Sequence, residues 1–297
     1  MQRPIPFIFV HKGDSFYLQY TFNQLKKSNP QSEIYLLGDE ANKKYADLGI
    51  RHVYMSDYGE TATAFEHVYV HLSANQGFVE RICFQRWMYI RDFIKARGIQ
   101  GPFCCMDSDV LVYENISDYY YRYCTGYDVT LHGPYGPGSN VFRDVQVLNG
   151  LVEHIFRCYS TPDLLEQLRN RYYKEKKNVT DMHMIDTYVR AQHVKVYDLL
   201  QIVEGASFDS HISKTSDSRF VMDGKYKKVQ YKDGHMYCFQ KADNCPVKMY
   251  TLHIQGYYKK IMYKFYHGNM AMVEPRIKAR IREIWLNSKL QLSRMKH

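Results

Sequence analysis

Phe103-Cys-Cys-Met-Asp107-Ser-Asp109-Val-Leu-Val-Tyr113 is an apolar run with a single interruption, two carboxylates one residue apart. The run reads as an apolar strand that ends at the carboxylates. Ionised groups at the end of such a strand are costly unless something compensates them. In open α/β sheets ligands bind beyond the carboxyl ends of the strands, where oxygen donors can hold a hard divalent cation and the phosphates attached to it; Mg²⁺ or Mn²⁺ fits best. A solvated turn, or pairing with Arg side chains, is the alternative for the same two residues, and Asp-x-Asp alone is common by chance.

Upstream of this run, strand and helix patterns alternate. Pro4 to Val10 is apolar and ends at His11-Lys12-Gly13-Asp14, after which Leu18, Phe22 and Leu25 recur at helical spacing until Asn29-Pro30. Glu33 to Leu37 and Arg51 to Met55 read as two more strands. Cys83, Trp87, Ile90 and Ile94 mark one face of a helix closed by Gly98. Downstream, Asp118 to Asn149 is rich in Tyr, Gly and Pro and reads mostly as loop, with a strand at Asp128 to His132. Asp163 to Glu175 and Asp181 to Arg190 read as helices, and Lys227 to Tyr237 and Pro246 to His253 as strands near an Asp233-Gly234 turn. The alternation predicts an α/β fold with a mostly parallel sheet flanked by helices over residues 1–270, followed by a separate tail at 271–297.

The 297 residues are 45% hydrophobic and 24% charged, which excludes a disordered or collagen-like chain. Ile5 to Val10 is too short for a signal-peptide core, and no stretch approaches the roughly 20 apolar residues that span a bilayer. Seven cysteines without metal-knuckle spacing, two of them inside the apolar run, read as free thiols and point to the cytoplasm. On that reading Asn115-Ile-Ser117 and Asn178-Val-Thr180 are chance matches to the glycosylation pattern. The net charge of +9 and 28 tyrosines raise nucleic-acid binding as a rival. Against it, residues 274–297 hold seven Lys or Arg against two Glu, so most of the excess sits in the tail, and no recognition motif accompanies the aromatics.

A second constellation, His253-Ile-Gln-Gly256-Tyr-Tyr-Lys259, puts an imidazole at a strand end, then a glycine that permits close backbone approach, then an ammonium. Each has a plain alternative, a hydrogen-bonded core histidine and a solvated surface lysine. Together, and 146 residues apart in this order, the two motifs resemble those of the retaining nucleotide-sugar glycosyltransferases of family 8, which include glycogenin and bacterial lipopolysaccharide galactosyl- and glucosyltransferases. The resemblance covers roughly residues 4 to 265. It implies a GT-A fold, Mn²⁺ held by Asp107, Asp109 and His253, and a nucleotide-sugar, a UDP-hexose by default, whose diphosphate meets Gly256 and Lys259 beside Ser108. It further implies transfer with retention, a mechanism that demands no dedicated carboxylate base; the acceptor is a saccharide, or the lipid-linked saccharide that membrane attachment of the tail would suit.

Arg86 falls where the family has an Arg near the donor sugar and the acids, with an ordinary surface Arg as the alternative. Asp181 falls where the family has the Asp of an Asp-Gln pair, although Met182 replaces the Gln and Asp181 also suits a helix cap. After the first strand the family usually carries acidic residues near the uracil. Here His11 and Lys12 stand there as nucleotide-edge candidates. Lys260-Ile261 likewise replaces the Pro-Trp that often follows the late Lys. A non-catalytic sugar-nucleotide or glycan binder is the second rival, and the intact motifs count against it. In the tail, Ile277, Ile281, Ile284, Trp285, Leu292 and Met295 fall on one helical stripe flanked by Arg276, Lys278, Arg282, Lys289, Arg294 and Lys296. That pattern suits a helix lying on an anionic membrane surface on the cytoplasmic side, or one docked on the catalytic unit, as Leu286 and Leu290 off the stripe would favour.

Overall fold

The structure, a computed structural model, describes residues 3–133, 136–213 and 219–269. The amphipathic tail lies outside the described residues. The first half of the chain lays down β1 (Phe7–Val10), α1 (Leu18–Ser28), β2 (Ile34–Gly38), β3 (Arg51–Tyr54), α2 (Glu60–Glu66), α3 (Gly77–Arg97) and β4 (Phe103–Met106). There follow β5 (Val110–Val112), α4 (Ile116–Tyr123), β6 (Val129–Leu131), β7 (Ser139–Phe142), α5 (Val145–Ser160), α6 (Pro162–Tyr173), α7 (Asp181–Gln192) and β8 (Val196–Asp198).

Seven strands form one sheet in the order β3-β2-β1-β4-β7-β6-β8. Only β7 runs against its neighbours, and the remaining ladders are parallel. The expected mostly parallel sheet flanked by helices is therefore present. The central strands β1 (FIFV) and β4 (FCCM) are apolar at every position because each face has its own core. Phe7, Phe9, Cys104 and Met106 join one cluster with α1, while Ile8, Phe103 and Cys105 join another with α3 and α5. From β1 the chain builds outward through β2 and β3, then returns to place β4 on the other side of β1. The carboxyl ends of β1 and β4 thus diverge at a topological switch point, where open α/β sheets bind their ligands.

The remaining strands are β9 (Ala206–Ser207), β10 (Met222–Asp223), β11 (Tyr226–Lys227), β12 (Val229–Lys232), β13 (His235–Phe239), β14 (Pro246–Met249) and β15 (Thr251–His253). β12, β13, β14 and β9 form a four-stranded sheet. The β12–β13 hairpin turns at Asp233 and Gly234, both with positive φ (52° and 85°), as a two-residue type I′ connection needs.

Three expectations change. The run from Phe103 to Tyr113 is two strands in different sheets, because Asp107–Asp109 turns the chain out of the main sheet at a bond from Val110 N–H to Asp107 C=O. Pro246 to His253 is likewise two strands. β14 belongs to the four-stranded sheet and β15 pairs with β5. The stretch from Asp118 to Asn149 is not mostly loop. It carries most of α4, β6, β7 and the start of α5, because Tyr119 and Tyr120 are core side chains rather than turn residues. No described helix is long and apolar enough to cross a membrane.

Candidate active site

β5 and β15 bring the two motifs together. They pair antiparallel with Val110 opposite His253, Leu111 opposite Leu252 and Val112 opposite Thr251. Ile254 N–H donates to the carbonyl of Asp109 at 2.9 Å, which fixes the end of the second motif against the first. Asp107 is tied on its other side by its N–H to Gly138 C=O at 2.7 Å. Ser108 C=O accepts from the Thr21 hydroxyl of α1 at 2.7 Å. One oxygen or nitrogen from each of Asp107, Asp109 and His253 lies within 4.8 Å of the others, and this is the one such grouping among the described residues.

His253 Nε2 sits 3.1 Å from Asp109 Oδ1 and 3.6 Å from Asp107 Oδ2, with the ring fully buried. Lys259 Nζ meets Asp109 Oδ2 at 3.0 Å and lies 5.1 Å from the centre of the Tyr17 ring. Arg86, on α3, pairs with Asp107 through Nη1 and with Asp181 through Nη2 at 2.5 Å. Its guanidinium also packs 4.5 Å from the centre of the Trp87 ring. Pairing with Arg, one alternative for the carboxylates, therefore holds for Asp107, alongside its grouping with His253. Asp181 is not the cap of α7. Thr180 fills that role by accepting from His183 N–H, and Asp181 turns inward to Arg86 and to the Trp87 indole N–H at 3.3 Å.

The charges separate the two carboxylates. Burial pushes the Asp107 carboxyl above the usual range in spite of Arg86 and His253. Burial also pushes on Asp109, but His253 and Lys259 together outweigh it and hold that carboxyl well below the usual range. The same contest favours the imidazolium at His253, where the two acids outweigh burial.

A cavity of about 390 Å³ opens over this cluster. Of the residues expected at the site, His11, Lys12, Arg86, Asp107, Ser108, Asp109 and Lys259 line it. His11 Nδ1 is 2.9 Å from the Ser108 hydroxyl, which joins the ends of β1 and β4 directly. His253 and Asp181 lie behind that lining, buried, and reach it through Asp109 and Arg86. Gly256 is not on the cavity wall. It begins a 3₁₀ segment (Gly256–Lys264) with φ of 57°, and that left-handed turn swings Lys259 back toward Asp109.

Sequence reasoning missed Tyr17, Asn140 and the apolar wall of Phe78, Val79 and Ile82, all of which line the cavity. Asn140 carries no local signal, since its stretch reads as loop. Phe78 and Val79 stand exposed at the first turn of α3 without a sequence motif, and Lys12 Nζ lies 5.2 Å from the Phe78 ring centre.

Fold and site together define a mixed α/β protein with an acidic pair, an imidazole and two cationic side chains converging at a sheet switch point. No protein-family model and no curated protein matches the chain. Among solved structures it is similar to apo mouse xyloside xylosyltransferase 1, with a TM-score of 0.45 and 10% identity over 66% of this chain and 85% of that one. It is also similar to the apo glycosyltransferase GlyE of Streptococcus pneumoniae TIGR4, with a TM-score of 0.41 and 12% identity over 72% of this chain and 48% of that one. A third is the galactosyltransferase LgtC in complex with donor and acceptor sugar analogs, with a TM-score of 0.39 and 14% identity over 61% of this chain and 69% of that one.

Proposed function

We propose that the protein is a metal-dependent glycosyltransferase of the GT-A type, moving a hexosyl group from a nucleotide-sugar, a UDP-hexose by the family-8 resemblance, to a saccharide or lipid-linked saccharide with retention. One observation carries this reading: Asp107, Asp109 and His253 come from two distant motifs and converge within 4.8 Å beside Lys259. Two carboxylates and one imidazole are a donor set that fits Mn²⁺, and Mg²⁺ less well because that ion prefers oxygen donors throughout. Asp107, Asp109 and His253 would hold the ion. When bound, such an ion supplies positive charge to a leaving diphosphate.

The remaining work falls to this chain's own side chains. Lys259 carries a second positive charge to the same place, where it is worth most as charge develops on the leaving group. Arg86, which lines the cavity, is held by Asp107 and Asp181 in one orientation, so that Asp181 acts on the donor sugar through the guanidinium it fixes. His11, Lys12 and Ser108 form the nucleotide edge of the cavity. In a retaining transfer the acceptor hydroxyl can pass its proton to the departing phosphate, which matches a site whose acids are already committed to cations. Residues 271–297 are proposed to attach the enzyme to an anionic membrane surface, in keeping with a lipid-linked acceptor of the kind used in envelope polysaccharide assembly.

The test is donor hydrolysis by the full chain over a panel of UDP- and GDP-sugars with Mn²⁺, repeated in EDTA. Hydrolysis of a UDP-hexose that EDTA abolishes is the expected result. Tight donor binding without turnover would replace the enzyme reading with that of a non-catalytic sugar-nucleotide binder.

A further inference from the structure

Behind the active site lies an ion pair that the chemistry above does not use. Lys227 Nζ donates to Asp209 Oδ1 at 2.6 Å, and both side chains are completely buried. Burying two charges costs several kcal/mol per ion before their attraction is counted, and an apolar pair of similar volume often does as well or better. Stability alone is therefore a poor account of why this pair is here, and its connections give a better one.

Among the described residues β15 has a single ladder partner, β5, whose bond to Ile254 N–H leaves the N–H and C=O of His253 pointing the other way. The loop after β9 takes both. Asp209 Oδ2 accepts from His253 N–H at 3.0 Å, and Ile212 N–H donates to His253 C=O at 2.9 Å. Lys227 closes the clamp at two points, through its ammonium on Asp209 and through its own N–H on Ile212 C=O at 2.8 Å. The clamp is anchored to the main sheet as well, because His132, just past β6, has its Nδ1 at 3.1 Å from Asp209 C=O. Every polar group of the His253 main chain is thus held by a loop whose own position depends on the buried pair.

We propose that Asp209, secured by Lys227, is a positioning residue that fixes the His253 main chain and so aims its imidazole at the Asp107–Asp109 pair. Outer partners that hydrogen-bond a ligating side chain typically change metal affinity about 10- to 100-fold when removed, and Asp209, acting through the His253 main chain, should fall at the low end of that range. The inference rests on the metal reading above.

Two double variants separate the role from bulk stability. Asp209→Leu with Lys227→Met removes both charges and the acceptor for His253 N–H. Asp209→Asn with Lys227→Met removes the charges but keeps a carbonyl oxygen toward that N–H. Mn²⁺ binding by the full-length proteins is followed by the EPR signal of free Mn²⁺, with folding checked by circular dichroism. The Leu/Met variant should bind Mn²⁺ at least about 10-fold more weakly than wild type, and the Asn/Met variant within about threefold. Equal, wild-type binding by both would overturn the inference while leaving the metal reading intact.

A wild-type protein that does not bind Mn²⁺ would instead remove the metal reading. The positioning role is then decided by amide hydrogen exchange at His253, which needs no metal. Slow exchange in wild type and in the Asn/Met variant supports the clamp, and fast exchange of the wild-type amide refutes it, even if the Leu/Met variant fails to fold.

Discussion

Arg86 and Asp181, 95 residues apart in the chain, meet at 2.5 Å, and through the other amino group of Arg86 the start of α7 is joined to Asp107 at the end of β4. A lysine presents its donors from a single point instead of a planar fork, so it cannot keep both acids in this orientation. Arg86→Lys should therefore lower kcat/KM at least about 10-fold, an effect of one lost oriented contact. Arg86→Ala leaves Asp181 without a cation and Asp107 with His253 alone, and should cost about 3 kcal/mol in urea unfolding at pH 7. Wild-type stability in Arg86→Ala would show the pair to be incidental.

Asp107→Ala, Asp109→Ala and His253→Ala should each reduce Mn²⁺-dependent donor hydrolysis by at least about 100-fold, since each removes one proposed ligand. Their circular dichroism spectra should match wild type. Undiminished hydrolysis in all three would sink the ligand assignment.

Lys259 is 31% exposed and Asp109 keeps His253 as a second cation when it is lost, so the pair should contribute only about 1–2 kcal/mol to folding. Lys259→Ala is expected to keep its melting temperature within a few degrees while kcat falls, because the charge matters most as the diphosphate leaves. A drop confined to KM would point to ground-state binding instead.

His132 is buried, and burial, with the neighbouring His253, pushes its imidazole down to about 3. The unfolded chain takes up a proton on this group below about pH 6.5 whereas the folded one does not, so its contribution to stability is full above that pH and is lost as pH falls toward 3. From pH 7 to 4.5 this one group should cost roughly 2–3 kcal/mol. His132→Gln should flatten the acid limb of a urea-unfolding series by that amount, and an unchanged limb would assign the loss to other groups.

Sedimentation with anionic liposomes, at low and high salt, compares the full chain with one ending before Glu274. Salt-sensitive binding by the full chain alone is the expected outcome. Equal binding by both forms would leave a soluble acceptor as the better reading.

The parts of this molecule that were legible in the sequence are those whose signal is local. β1, β2, β3, α1 and α3 follow from consecutive or periodic apolar residues, and the Asp107, Asp109, His253 and Lys259 set from two short motifs. α5 was legible in principle. Asp144 caps it by accepting from Gln146 and Val147 N–H, and Val147, Leu148, Leu151, Val152 and Ile155 follow at helical spacing, but the preceding Gly and Pro residues drew the reading toward loop. The split of Phe103–Tyr113 was not legible, because it depends on a strand contributed by residues 251–253. Asp209 and Lys227 carry no signal of their own for the same reason: what makes them matter is a third segment, His253, brought between β5 and their loop.

The two-stranded pairing of β5 with β15 also sets an order of assembly. Among the described residues Val110–Val112 has no other strand to pair with, and its partner is made 141 residues later, counting Val110 to Thr251. A growing chain can close β1 to β4 on the ribosome while Asp109 still lacks its imidazole and its ammonium, and closing so long a loop is a slow, late step in folding. The sheet and the chemistry therefore mature at different times. An elongation-arrested chain stalled before residue 246 should fold its parallel core and remain unable to turn over a donor, so that competence arrives only with the synthesis of β15 and Lys259.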